Sequence, residues 1–90
     1  MDQTEASILI VDDDPAIRTA ARMFLKQMFK QVITCSKPEE IPRMLREIRF
    51  DVFLLDMNFL PGRNDGKEGI HWLGQLLELD PAAVVVFITA

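Results

Sequence analysis

The residues best placed to do chemistry are carboxylates standing where apolar runs end. Asp12, Asp13 and Asp14 follow "ILIV" without a break, and Asp56 closes "DVFLL" about 40 positions later. At about 5 Å and an effective dielectric near 20, each like-charged pair costs roughly 3 kcal/mol. A cluster of this kind needs a cation, solvent or a structural use for each member. Asp14 has such a use, because Asp is a good helix N-cap and Pro15 suits the first helical position. Asp12, Asp13 and Asp56 remain. Three oxygen donors beside an open, solvated edge suit a hard cation that keeps several waters, as Mg²⁺ does. An ionised Asp beside such a cation can act as a nucleophile toward a phosphoryl group. Thr89 closes the run "VVVFI", where its hydroxyl could donate to a phosphoryl oxygen on Asp56 and couple the new charge to a following loop.

These residues converge only if the elements carrying them do. The chain alternates. "SILIV" (Ser7–Val11), "QVITC" (Gln31–Cys35), "DVFLL" (Asp51–Leu55) and "AVVVFIT" (Ala83–Thr89) read as short buried strands. Between the first two, Ile17, Ala20, Ala21, Phe24, Leu25 and Met28 recur at helical spacing. A second helix carries Ile41, Met44, Leu45 and Ile48. Ser36 and Glu39 offer a capping box for it, while Pro42 predicts a late start or a distorted first turn. A Gly/Asn/Pro-rich loop, Asn58–Gly69, leads to a third helix from about Gly69 to Leu79, with Ile70, Leu73 and Leu77 on one face. Asp80–Pro81 stops it. Strands alternating with helices predict an α/β domain, a parallel sheet covered on both faces. In such sheets ligands bind beyond the carboxyl ends of the strands, the edge where Asp12, Asp13, Asp56 and Thr89 all fall.

Composition excludes several classes. Ninety residues, 49% hydrophobic and 27% charged, make one modest domain. No run approaches the ~18 apolar residues of a membrane span, and the acidic, polar start "MDQTEAS" is unlike a signal peptide. One cysteine, Cys35, precludes an internal disulfide and fits a reducing, cytoplasmic setting. The net charge of −4 and the scattered Lys26, Lys30, Arg43, Arg46 and Arg49 argue against nucleic-acid binding by this segment. His71 has no neighbouring Cys or second His to form a transition-metal site. Trp72 and Cys35 read as packing residues. "DDDPAIR" lacks the glycines of a phosphate-cradling loop, which leaves a small-ligand or hydrolase domain a poor fit.

"ILIVDDDPAIR", "DVFLLDMN" and "VVVFITA" together resemble the receiver domain of bacterial two-component response regulators. The resemblance runs along the whole chain, and its strength lies in the ordered set of motifs. It implies a flavodoxin-like sheet with strand order 2-1-3-4, truncated after the fourth strand, and a cytoplasmic regulatory domain, not an enzyme in its own right. Asp56 matches the phosphoacceptor that a sensor histidine kinase serves. Asp12 and Asp13 match the acidic pair that holds Mg²⁺, and Asn58 the position whose backbone carbonyl completes the metal site. Thr89 matches the switch hydroxyl. The family's usual Pro, four residues after the acceptor, is replaced here by Leu60, with Pro61 one later and a longer path to Gly66 or Gly69. The family's fifth strand, its last two helices, its phosphoryl-contacting lysine and its switch aromatic would all lie past Ala90. Residues 1–90 therefore read as a receiver domain incomplete at its C-terminus, with any output domain or DNA contact in regions outside it. A second copy of the chain is one way to cover the fourth-strand edge. The long loop and "GIHWL" resemble receivers joined to nitrogen-regulation-type transcription activators. A pseudo-receiver, which keeps the fold and binds proteins without being phosphorylated, remains the alternative.

Overall fold

The computed structural model describes residues 4–56 and 67–88. Its elements run β1 (Thr4–Val11), α1 (Pro15–Leu25), β2 (Phe29–Cys35), a 3-10 turn (Pro38–Glu40), α2 (Ile41–Glu47), β3 (Val52–Asp56), α3 (Lys67–Leu79) and β4 (Val84–Ile88). All four strands pair in parallel, in the order β2-β1-β3-β4. This is the flavodoxin-like order expected from the resemblance.

Parallel strands buried on both faces need near-continuous apolar sequence, and β1 and β3 supply it. Leu9, Val11, Phe53 and Leu55 are fully buried on one face, where Ile41 of α2 and Leu76 of α3 complete the cluster. Phe50 joins them, its ring edge-on to Phe53 with centroids 5.8 Å apart. The alternate residues Ile8 and Ile10 are buried on the other face, and α1 packs on β1 and β2. Register carries that second face outward through Val52 and Leu54 to Val84 and Val86. These last two are about half exposed.

Several expectations are corrected in detail. Strand β1 begins at Thr4 and β2 at Phe29, because these residues pair with each other before the register shifts ahead of Ser7. Asp51 lies just outside β3, and α3 starts at Lys67. Met28 falls beyond α1, which ends at Leu25 with Lys26 as its C-cap. No α1 residue is buried, and Phe24 stays 67% exposed.

The Ser36–Glu39 capping box does not form. Lys37 caps the 3-10 turn without a side-chain bond, and α2 begins only at Ile41. Pro38 and Pro42 each occupy a first-turn position, where a missing N–H costs nothing. Together they split one helix start into two, which is the late start that Pro42 predicts. In α3 the inward stripe is Trp72 and Leu76, while Leu77 is 37% exposed. Turning the helix by one residue from the expected Leu73–Leu77 face packs the large indole against the core. No helix among the described residues is long and apolar enough to cross a membrane.

Candidate functional site at the carboxyl edge of the sheet

Strand register determines which residues meet at this edge. Val11 pairs with Leu55, so Asp12 and Asp56, the next residue of each strand, emerge side by side. Adjacent strands lie about 5 Å apart. Asp56 is the last residue of β3 and pairs in turn with Ile88 of β4, the residue before Thr89. Asn58 and Thr89 lie outside the described residues, as does the loop with Leu60, Pro61 and Gly66.

Asp12 is 1% exposed and is the one buried charged residue among those described. Its main chain is held from two sides. The Asp12 N–H donates to the Cys35 carbonyl at the end of β2 (3.1 Å), and its carbonyl accepts from Arg18 Nη1 (2.8 Å). Its carboxylate Oδ1 accepts the Asp14 N–H at 2.9 Å, which folds the chain tightly around the acidic run. Asp13, between them, is exposed. Asp14 caps α1 as its sequence context predicts, with Oδ1 accepting the Ala16 N–H at 2.9 Å. The three aspartates thus occupy three different environments: buried and bonded, exposed, and capping.

The donor set at this edge is oxygen. Among the described residues, no group of three or more His, Cys, Asp or Glu side chains is gathered closely enough to hold a metal ion. The carboxylate of Asp56 and the Asn58 carbonyl are outside what is described. Asp12 and Asp13 are hard, anionic donors on a fixed turn, and they fit a Mg²⁺ ion better than a thiophilic metal.

Cys35 sits beside the site at the end of β2 and is 7% exposed. Burial, reinforced by the nearby Glu40 carboxylate, pushes its thiol up to about 11. It is therefore a neutral packing group, as expected. Trp72 packs against the core, with His71 exposed at its edge and ring centroids 5.0 Å apart. Lys26, Lys30, Arg43, Arg46 and Arg49 are all exposed.

Arg18 is the residue that sequence reasoning passed over. Its one available signal is position: a cation in the first turn of a helix opposes the macrodipole and needs a local reason.

Comparison with known proteins bears on the family and the fold. A family model for the response regulator receiver domain matches residues 8–90. The transcriptional regulatory protein AfsQ1 of Streptomyces coelicolor is 41% identical over 56 residues, which are 62% of this chain. The chain spans only 24% of that relative's length. Among solved structures, the N-terminal signal receiver domain of a two-component system response regulator from Bacteroides fragilis superposes with a TM-score of 0.79 at 37% identity, over 93% of this chain and 65% of that one. The MaeR response regulator bound to beryllium trifluoride gives 0.77 at 26% identity, over 94% and 67%.

Proposed function

Since this chain belongs to the response regulator receiver domain family of two-component systems, we propose that it is a phosphoacceptor signalling domain. In this reading Asp56 takes a phosphoryl group from a sensor histidine kinase in a Mg²⁺-dependent reaction, and the change switches an output function. The observation that supports it most directly is the Val11–Leu55 register, which sets the Asp12 and Asp56 backbones side by side at one edge. Receiver domains are in general regulatory rather than catalytic, and the proposal assigns no turnover of a separate substrate to this one.

In the transfer, a carboxylate oxygen of Asp56 attacks phosphorus. The bond from phosphorus to the donor imidazole nitrogen breaks, and that nitrogen leaves with the electron pair. Mg²⁺, when bound, offsets charge on the phosphoryl oxygens. Asp12, Asp13 and Asp56, with the Asn58 carbonyl, would hold it. The Asp12 turn is already tied down by Cys35, Asp14 and Arg18, so little reordering is needed for the carboxylates to serve. Thr89, following the β4 residue that pairs with Asp56, would donate its hydroxyl to a phosphoryl oxygen and carry the signal onward.

The beryllium trifluoride held by MaeR supports the reading, since a bound trifluoride can stand in for a phosphoryl group. The relationship to a transcriptional regulatory protein favours transcription as the output. A cytoplasmic setting would keep Cys35 reduced.

The test is direct. The protein is incubated with Mg²⁺ and a small acyl-phosphate donor, and its intact mass is measured. A single phosphoryl adduct is expected, and it must disappear in Asp56→Asn. No adduct on the parent, or one that survives this substitution, overturns the assignment and leaves a protein-interaction domain that keeps the fold alone.

A further inference from the structure

We propose that Arg18 is a positioning residue for the acidic pair, setting the main chain from which Asp13 meets the cation. The inference rests on the Mg²⁺ site of the reading above. Arg18 stands in the first turn of α1, its own N–H bonded to the Asp14 carbonyl at 3.0 Å. Side chains on a helix lean toward its N-terminus, and Arg18 follows that lean back to the Asp12 carbonyl at 2.8 Å. A cation here faces the positive end of the helix dipole, which disfavours it. The bond that offsets this is charge-assisted and half-buried.

The consequence falls on the peptide between Asp12 and Asp13. Its carbonyl is held by Arg18, while the Asp12 N–H is held by Cys35 and the Asp14 N–H returns to the Asp12 carboxylate. Asp13, exposed between these bonds, is thus carried on a backbone fixed on both sides of it. Arg18 also engages the Asp12 carbonyl itself, which leaves the carboxylates to meet the cation.

Two roles for Arg18 predict opposite signs. As a mere counter-charge it would repel Mg²⁺, so removing it would tighten binding. As a positioning residue its removal loosens the turn and weakens binding. Mg²⁺ titration calorimetry on the parent, Arg18→Met and Arg18→Lys separates them, with circular dichroism confirming that each variant is folded. Arg18→Met is expected to bind about tenfold more weakly, the effect typical of losing an outer partner of a metal ligand. Arg18→Lys, which keeps a charged donor on a long stem, is expected to recover most of that loss. Equal or tighter binding by Arg18→Met overturns the inference while leaving the Mg²⁺ site intact. If Arg18→Met fails to fold, Arg18→Gln, which removes the charge and keeps a donor, decides, and binding no tighter than the parent's supports the inference. Binding by Arg18→Gln tighter than the parent's overturns it. A parent that binds no Mg²⁺ overturns the metal site, and the inference with it.

Discussion

Asp51 and Ser7 form a reciprocal pair at the end of the sheet opposite the carboxylate edge. The Asp51 N–H donates to the Ser7 carbonyl and the Ser7 N–H donates to Asp51 Oδ2, each at 2.9 Å. Together they close the point where β1 and β3 begin to pair. Asp51 stands one residue before β3, so its backbone extends the ladder while its side chain takes the place of a strand carbonyl.

That pair can be broken without touching the core. Asp51→Ala removes the acceptor for the Ser7 N–H and is expected to cost about 1 kcal/mol in urea unfolding, the usual net worth of one hydrogen bond. Asp51→Asn keeps an acceptor and should cost less. Equal losses in the two variants would show that charge rather than the hydrogen bond matters there.

Asp14 offers a second separation of roles. Its Oδ1 caps α1 through the Ala16 N–H. Asp14→Ala is expected to lower stability by about 1 kcal/mol, and Asp14→Asn, another good cap, to change it little. Neither should shift the Mg²⁺ affinity by more than a small factor. A large loss of Mg²⁺ binding in Asp14→Asn would make Asp14 a ligand and displace the division of labour among the three aspartates.

The strand cores were legible because β1 is buried on both faces, and β3 is buried on one face and half-buried on the other, which calls for near-continuous apolar sequence. Their ends were not. The pairing of Thr4 with Phe29 extends β1 through the polar stretch "TEA", where no hydrophobic alternation announces a strand. The start of α2 misled for a local reason, since the Ser36 capping signal competes with two prolines and the prolines prevail. At the candidate site, the spacing of Asp12, Asp13 and Asp56 was readable from the sequence. Strand order was read from the family resemblance. Arg18 was marked only by its unfavourable place in the first turn of a helix, and its role was not readable, because its partner is a backbone carbonyl, which no residue type reveals.

Cys35 gives a pH dependence of definite sign. Burial, then Glu40, raises its thiol from 9.0 to about 11 in the folded chain. Between those values the unfolded chain has lost the proton while the folded chain keeps it. Stability therefore falls as pH rises from about 9 to about 11 and is unaffected by this group below 9, a loss of roughly 2–3 kcal/mol at most. Denaturant unfolding at pH 8 and pH 10.5, with Cys35→Ala as reference, checks it. A slope that persists in Cys35→Ala would assign the effect to other groups. Alkylation of the native thiol at pH 8 should be slow and should accelerate sharply on unfolding.

Asp12 and Asp13 allow the Mg²⁺ site to be tested on stability alone, because their structural burdens differ. Asp13 is exposed, so Asp13→Asn should leave the metal-free protein as stable as the parent, or slightly more so through relief of repulsion within the acidic run. Asp12 is 1% exposed and accepts the Asp14 N–H, so Asp12→Ala should destabilise the metal-free protein by about 1–3 kcal/mol. Asp12→Asn keeps an acceptor and should destabilise less. Mg²⁺ at about a hundredfold excess over its Kd stabilises a folded protein by roughly 2.7 kcal/mol through mass action. The parent's Tm should rise accordingly on adding Mg²⁺ and return on adding a chelator. Both Asn variants should lose most of that rise, although only the Asp12 variants pay in metal-free stability. A full Mg²⁺-induced rise in Asp13→Asn would remove Asp13 from the ligand set and move the cation elsewhere along the edge.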